Sequence, residues 1–291
     1  MKIGLSTYSL AGAYRKGEFD FPGLVTKIAS MGGECCEIVP LGIDFTVEKD
    51  MPGKVVQAAK DANIPLCSYT FGANFITNPD GTDRNAEQIK AEIARVKSHV
   101  DIAAQLGVPI VRHDAGSRPV EKASLEQFDK DLPIAIEACG EVADHAAKYG
   151  ITTAIENHGK LFQGKERVRR LIKGVNRPNF RLVIDVGNVC GVDEKPFCNV
   201  IDNADIVVMY HFKDNYLREW VPDPENWSKT SHGHYVKGSI TGYGDIDLRT
   251  IANLIKAQGF DGCVSIEFEG REESVFAAQR SLDNVKRLFR G

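Results

Sequence analysis

Eight short apolar runs, separated by segments with helical periodicity, predict an α/β protein of the (β/α)₈ TIM-barrel class, folded as a single domain over residues 1–291. Three observations carry that expectation. The strand-like runs are continuously apolar rather than alternating, as in parallel strands covered on both faces by helices. Glycines close several of the intervening helices shortly before the next run. A length of 291 residues with 43% hydrophobic composition suits one barrel with a sizeable core. An open doubly wound sheet fits less well, because it usually has fewer strands and a Gly-rich nucleotide turn, and the chain has neither GxGxxG nor a P-loop.

The runs fall at residues 2–8 (KIGLSTY), 34–39 (ECCEIV), 64–69 (IPLCSY), 108–113 (VPIVRH), 151–156 (ITTAIE), 181–185 (RLVID), 205–211 (DIVVMYH) and 263–267 (CVSIE). Between the third and fourth, Ile89, Ile93, Val96 and Val100 share one helix face, and Asn85 with Gln88 forms a capping box ahead of them. Gly107 ends that helix, Gly150 the next, and Gly259 the one after Asp247. Residues 215–245 make a long Trp-, Pro- and Gly-containing excursion, predicted as a long loop after the seventh strand. Trp220 and Trp227 within it read as a lid or an interface patch, either of which would bury them. His232 and His234, in HGH, read as an exposed pair rather than a second metal site.

Charge and cysteine usage exclude several classes. The net charge is −4 with acidic and basic residues interspersed, which argues against a nucleic-acid partner. No run approaches membrane-spanning length, and the start MKIGLSTYSL lacks a signal-peptide pattern. Seven scattered cysteines without CxxC spacing read as reduced thiols, so the expected location is cytoplasmic.

The polar residues sit where a barrel builds its site. Strands five to eight end on Glu156, Asp185, His211 and Glu267, each directly after apolar residues: TAIE, LVID, VMYH and VSIE. Singly, a strand-end acid is an ordinary helix N-cap. Four on consecutive strands deliver three carboxylates and an imidazole to one rim, and carboxylates so close stay ionised only if a cation holds them. One His among oxygens favours Mn²⁺, Co²⁺, Fe²⁺ or Zn²⁺ over a purely Mg²⁺- or Ca²⁺-like set.

IENHG, IDVGN, YHFKD and SIEFEG, in this order at these strand ends, resemble the sugar phosphate isomerase/epimerase superfamily, the xylose-isomerase-like barrels. The likeness extends to GYGDIDLRTIANLIKAQGFDG before the last strand. It implies one divalent ion, Mn²⁺ foremost with Mg²⁺, Co²⁺ or Zn²⁺ as alternatives, held by Glu156, Asp185, His211 and Glu267. It also implies a small-molecule carbohydrate substrate, deprotonated beside its carbonyl through an enediolate, with Glu156 and Glu267 as the acid/base pair. Members are often dimers or tetramers, so a homo-oligomer stays open.

Neighbouring residues are candidates for second roles. His158 is placed to act as acid/base or hydrogen-bond donor, and Asn188 stands where many relatives carry a His. Lys213 is a candidate substrate contact or a partner of Asp214, and His113, ending strand four, a candidate lining residue of the mouth. Glu269 is expected to bind Arg271 or a loop. The stretch NHGKLFQ after Glu156 lacks the acid that ketose 3-epimerases usually carry there, which keeps a lyase reading open: elimination or dehydration on a 3-keto-glycoside or keto-inositol. A nuclease of this barrel type needs extra histidines where this chain has Tyr69 and Asn188, and a metal- or sugar-binding sensor is the non-enzymatic alternative.

Overall fold

The computed structural model describes residues 1–291. Each predicted run overlaps a strand: β1 (Lys2–Ser6), β2 (Cys36–Ile38), β3 (Leu66–Phe71), β4 (Ile110–His113), β5 (Thr152–Glu156), β6 (Phe180–Asp185) and β7 (Val207–Phe212). After β7 come β8 (Asp214–Arg218), β9 (Ser228–Lys229) and β10 (Tyr235–Ser239), and then β11 (Cys263–Ile266). All pairings among β1–β7 and β11 are parallel, and they close a barrel in the order β1-β11-β7-β6-β5-β4-β3-β2. The helices are α1 (Ala11–Arg15), α2 (Phe21–Ser30), α3 (Met51–Asp61), α4 (Ala86–Leu106), α5 (Leu125–Ala147), α6 (Lys165–Val175), α7 (Pro196–Asp202), α8 (Leu248–Ala257) and α9 (Ser274–Arg290). None is long and apolar enough to cross a membrane.

Local chemistry explains where helices begin and end. Asn85 accepts from the Gln88 N–H at 2.9 Å while the Gln88 side chain accepts from the Asn85 N–H, the reciprocal box that satisfies two orphan donors of α4. Gly107 then turns the chain left-handed at φ 68°, a conformation that glycine adopts without steric cost. The excursion after β7 differs from a loop: β8, β10 and β9 pair antiparallel into a small sheet beside the barrel. Its Asp214 accepts from the N–H groups of Gly242 and Gly244 at 2.9 Å each, tying both ends of the excursion together. Contrary to the burial expected of both tryptophans, Trp220 is 74% exposed, and Trp227 is only half-buried, with the Lys237 ammonium over its ring.

Two irregularities matter for the interior. Along β2 and β3, Cys36 faces Leu66 while Glu37 faces Ser68, so Cys67 is an extra residue in β3; β7 likewise inserts Val208 against β6. Such bulges re-aim side chains. Inside the barrel, Cys35, Cys67, Ile110, Ala154, Val183 and Met209 pack as a separate floor beneath the polar mouth.

One polar residue replaces a rung of the barrel. At the top of β5 the Asn157 amide accepts from the Asp185 N–H at 2.8 Å and donates to the Asp185 carbonyl at 2.9 Å, both buried. The Asn157 side chain thus continues β5–β6 pairing after the backbone has turned away, and it holds Asp185 in place. Asn157→Ala orphans two buried backbone groups and is expected to lower stability by about 2–4 kcal/mol, read as a lower urea midpoint at unchanged slope. An unchanged midpoint would show that the pairing survives without the side chain.

Candidate metal centre

The carboxyl-terminal ends of β5, β6, β7 and β11 bring Glu156, Asp185, His211 and Glu267 together, with donor atoms all within 4.8 Å of one another and all four side chains buried. Strand register produces this. Asp185 pairs directly with His211, and His211 with Ser265, which places Glu267 one residue pair above that level. Alternation then points Ser265 and Glu267 to the same interior face.

Each donor is held from behind. Asp185 Oδ1 accepts from the N–H groups of Gly187 and Asn188 at 2.7 Å each, while its buried Oδ2 has no hydrogen-bond partner. His211 Nε2 lies 3.0 Å from Glu37 Oε1, and its buried Nδ1 is likewise unpartnered. Glu37 also accepts from Thr70 Oγ1 at 2.5 Å and Ser265 Oγ at 2.6 Å. An ionised carboxylate can only accept, so His211 donates through Nε2 and presents Nδ1 to the centre. Asp185 Oδ2 has only the Lys213 ammonium at 3.4 Å and His211 Nδ1 only Glu156 Oε1 at 3.5 Å, and these two ligand atoms without hydrogen bonds, beside two further carboxylates, fit a divalent cation with a mixed O/N shell.

The protonation states follow from the packing. Burial, reinforced by Glu156 and Glu267 against the attraction of Lys213, pushes Asp185 up to about 6. Burial would also raise Glu156, but the Arg112 guanidinium and His211 outweigh it and hold the carboxyl well below its usual range. His211 is pushed well above the ordinary histidine value, because Glu37 and Glu156 overcome the cost of burial.

The remaining candidates divide. Asn188 Nδ2 donates to Glu156 Oε1 at 2.7 Å, and its Oδ1 accepts from Lys213 Nζ at 3.2 Å. Lys213 reaches Glu267 and Glu269 at 2.9 Å and Asp185 at 3.4 Å; its alternative partner Asp214 instead takes backbone N–H groups. Glu269 therefore turns to the mouth, and Arg271 bonds Asn226. His158 lies at the rim, half-exposed, with Nδ1 3.1 Å from Asp114 Oδ1. Burial would lower its pKa, but Asp114 raises it above the ordinary value. His232 and His234 are exposed, and each places Nδ1 3.0 Å from an Asp193 oxygen, clasping the excursion to the segment after β6.

His113 requires a correction. It does not line the mouth; it is fully buried on the outer face of β4, with its ring against Phe71, Phe75 and Phe180. Alternation sends adjacent residues to opposite faces, so Arg112 is the one that points inward. Its guanidinium pairs with Glu156 and with Asp114. Arg112 and Glu37 lie inside the runs VPIVRH and ECCEIV rather than at their ends, and Asp114 follows the fourth run, so a search of terminal residues passes over all three; alternation from Asp114 places Arg112 on the same face.

The family profile described as xylose isomerase-like TIM barrel matches residues 25–288. The chain belongs to that family. Among characterised relatives of this barrel, the C-glycoside deglycosidase alpha subunit of Arthrobacter globiformis is 28% identical over 178 residues, 58% of this chain and 41% of that protein. A probable L-ribulose-5-phosphate 3-epimerase, UlaE, of Mycoplasma pneumoniae is 27% identical over 127 residues, 42% of this chain and 39% of its own. The matched region thus spans about two fifths of each curated relative. Among solved members of the fold, the IolI protein with a bound zinc atom superposes with a TM-score of 0.74 at 17% identity, covering 99% of this chain and 98% of its own.

Two outcomes test the centre. Glu37→Gln removes the charge that orients His211 and is expected to weaken Mn²⁺ binding by roughly 10–100-fold in calorimetric titration, with the fold intact by circular dichroism. In the cation-free protein Asp185 keeps its proton up to about pH 6, so below that a cation must displace it. Protons on Asp185 and on His211, whose pKa is raised, both compete with the cation, so affinity should fall as pH drops and Mn²⁺ binding should be at least roughly tenfold weaker at pH about 5 than at pH about 7. Equal affinities would place the Asp185 pKa elsewhere.

Proposed function

We propose that the protein is a divalent-metal-dependent sugar isomerase or epimerase that removes a proton from the carbon beside a carbonyl and returns it. The observation that carries this reading is the placement of Glu156 and Glu267. They rise from β5 and β11, with β6 and β7 between them in the barrel order, so two carboxylates flank one space whose wall is Asp185 and His211. A single base suffices to remove a proton; two facing carboxylates allow one to take it and the other to deliver it on the opposite face.

Glu156, Asp185, His211 and Glu267 would hold the cation, with Mn²⁺ preferred for the O/N donor set. When bound, a divalent cation supplies Lewis-acid stabilisation of the negative charge that builds up on the substrate oxygens. The protein's own groups do the rest. Arg112 keeps Glu156 ionised and thus able to accept a proton. Lys213 and Asn188, at hydrogen-bond distance from the carboxylates, present donors to sugar oxygens entering the mouth. Two adjoining cavities of about 600 and 520 Å³ share Tyr8, Ala11 and Arg15 at the rim, and Glu269 links the first to Lys213.

A second reading is supported by the Asp114–His158 pair. A half-exposed histidine, raised in pKa by a partly buried aspartate, can hand a proton to a departing group, so elimination from a 3-keto-glycoside or keto-inositol is the alternative. The deglycosidase relative agrees with it, as the epimerase relative agrees with the first.

Incubating Mn²⁺-loaded protein with ketoses and 3-keto-glycosides in D₂O tests both. The proposal expects deuterium at the carbon beside the carbonyl in a product of otherwise unchanged mass, and Glu156→Gln and Glu267→Gln each to reduce that exchange by at least roughly 10²-fold. Loss of water or an aglycone, slowed roughly 10²–10⁴-fold by His158→Asn, would establish the lyase instead. Full exchange in either glutamine variant would overturn the acid/base roles.

A further inference from the structure

Below the mouth, the barrel interior holds a second set of donor atoms that the proposed reaction leaves unused. Cys35 immediately precedes β2, Cys67 is the extra residue of β3, and Cys263 opens β11. Their sulfur atoms lie within 4.8 Å of one another. Cys35 and Cys67 are 1% and 4% exposed, while Cys263 is half-buried and gives the group an opening to solvent.

Three features of the backbone make this meeting. On β11, Cys263, Ser265 and Glu267 alternate onto one face, so Cys263 points into the barrel two steps below the Ser265 that bonds Glu37. On β3, the bulge adds Cys67 between the residues that face Cys36 and Glu37, and this turns its side chain into the floor among Cys35, Ile110 and Met209. Between β11 and β2 runs β1, which contributes Gly4: a Cβ there would come within 1.9 Å of the Cys35 carbonyl oxygen and 2.7 Å of Cys35 Sγ, so the close approach of this backbone segment requires glycine. The absent side chain leaves room for the sulfurs of Cys35, just before β2, of Cys67 on β3 and of Cys263 on β11 to converge across β1.

We propose that Cys35, Cys67 and Cys263 form a second metal site, on the barrel floor, for one soft thiophilic d¹⁰ cation. Metal–sulfur bonds of about 2.3 Å put three thiolates roughly 4 Å apart, within the spacing found here. Thiolate donors select Cu(I), Zn(II) or Cd(II) over Mn²⁺ or Mg²⁺, so this site and the oxygen-rich mouth sort different ions. Binding forms metal–sulfur bonds and releases one proton per thiolate formed; no electron is transferred and no oxidant is needed. The neighbouring Cys35 and Cys67 thiols, with Lys2, favour the ionised form of Cys263, which supplies the first ligand, whereas Cys263 itself and burial push the Cys35 and Cys67 thiols up, so the cation must displace their protons. The bound ion would staple β11, β2 and β3 around β1, where the barrel closes the first strand onto the last.

The test uses the full chain, reduced and held under anaerobic conditions, titrated with Cd(II). The expected result is an ultraviolet sulfur-to-metal charge-transfer band that saturates at one equivalent. It should persist when Mn²⁺ is present in excess. Cys263→Ser, at the half-buried position, and Cys67→Ser should each abolish most of the band, whereas Cys139→Ser, a buried thiol on α5, should leave it intact. Absence of a band at stoichiometric Cd(II), or an equal band in folded Cys263→Ser protein, would overturn the proposal. Should Cys67→Ser fail to fold, the wild-type stoichiometry and Cys263→Ser decide the matter alone.

Discussion

The constraint on which the architecture turns is the crowding of negative charge in a buried mouth. Glu37, Asp114, Glu156, Asp185, Glu267 and Glu269 share this region with only Arg112 and Lys213 as permanent cations. Burying unpaired carboxylates costs several kcal/mol each in a folded protein, so a fold that collects them must compensate locally or bind an ion. This barrel does the first in part and is arranged for the second: Asp185 Oδ2 and His211 Nδ1 remain without hydrogen-bond partners although both are fully enclosed.

The compensation is layered. Arg112 neutralises Glu156 from one side, Lys213 bridges Glu267, Glu269 and Asp185 from the other, and Glu37 fixes His211 from below. Asn157 and the backbone N–H groups of Gly187 and Asn188 lock Asp185. None of these groups alone completes the site. Together they fix the direction of each lone pair, which would limit the reorganisation that binding the proposed cation requires. The same strands carry, a few residues lower, a thiol floor of opposite chemical character, so hard and soft donors are stacked along one axis of the barrel.

Much of this arrangement was legible in the chain. Strand positions and the four convergent residues could be read because parallel strands print as apolar runs and a barrel gathers the residues near their carboxyl ends at the mouth. Partners supplied from distant strands could not. Glu37 lies within ECCEIV, and its value comes from Thr70, Ser265 and His211, which are far away in sequence. The end of the β4 run does not mark the inward-facing residue: alternation turns Arg112 to the mouth and His113 to the aromatic layer outside the strand. The bulge that turns Cys67 inward leaves no mark in the composition, and the excursion after β7 became a sheet because Tyr235–Ser239 pairs back onto Asp214–Arg218.

The central claim is that Glu156, Asp185, His211 and Glu267 enclose one divalent cation. An anomalous-scattering map of crystals grown with Mn²⁺ tests it most directly. The account predicts a single strong peak at the mouth, about 2.0–2.3 Å from an oxygen of each carboxylate and from His211 Nδ1. A mouth without a peak in Mn²⁺-replete crystals, with Lys213 still bridging Asp185 and Glu267, would contradict it.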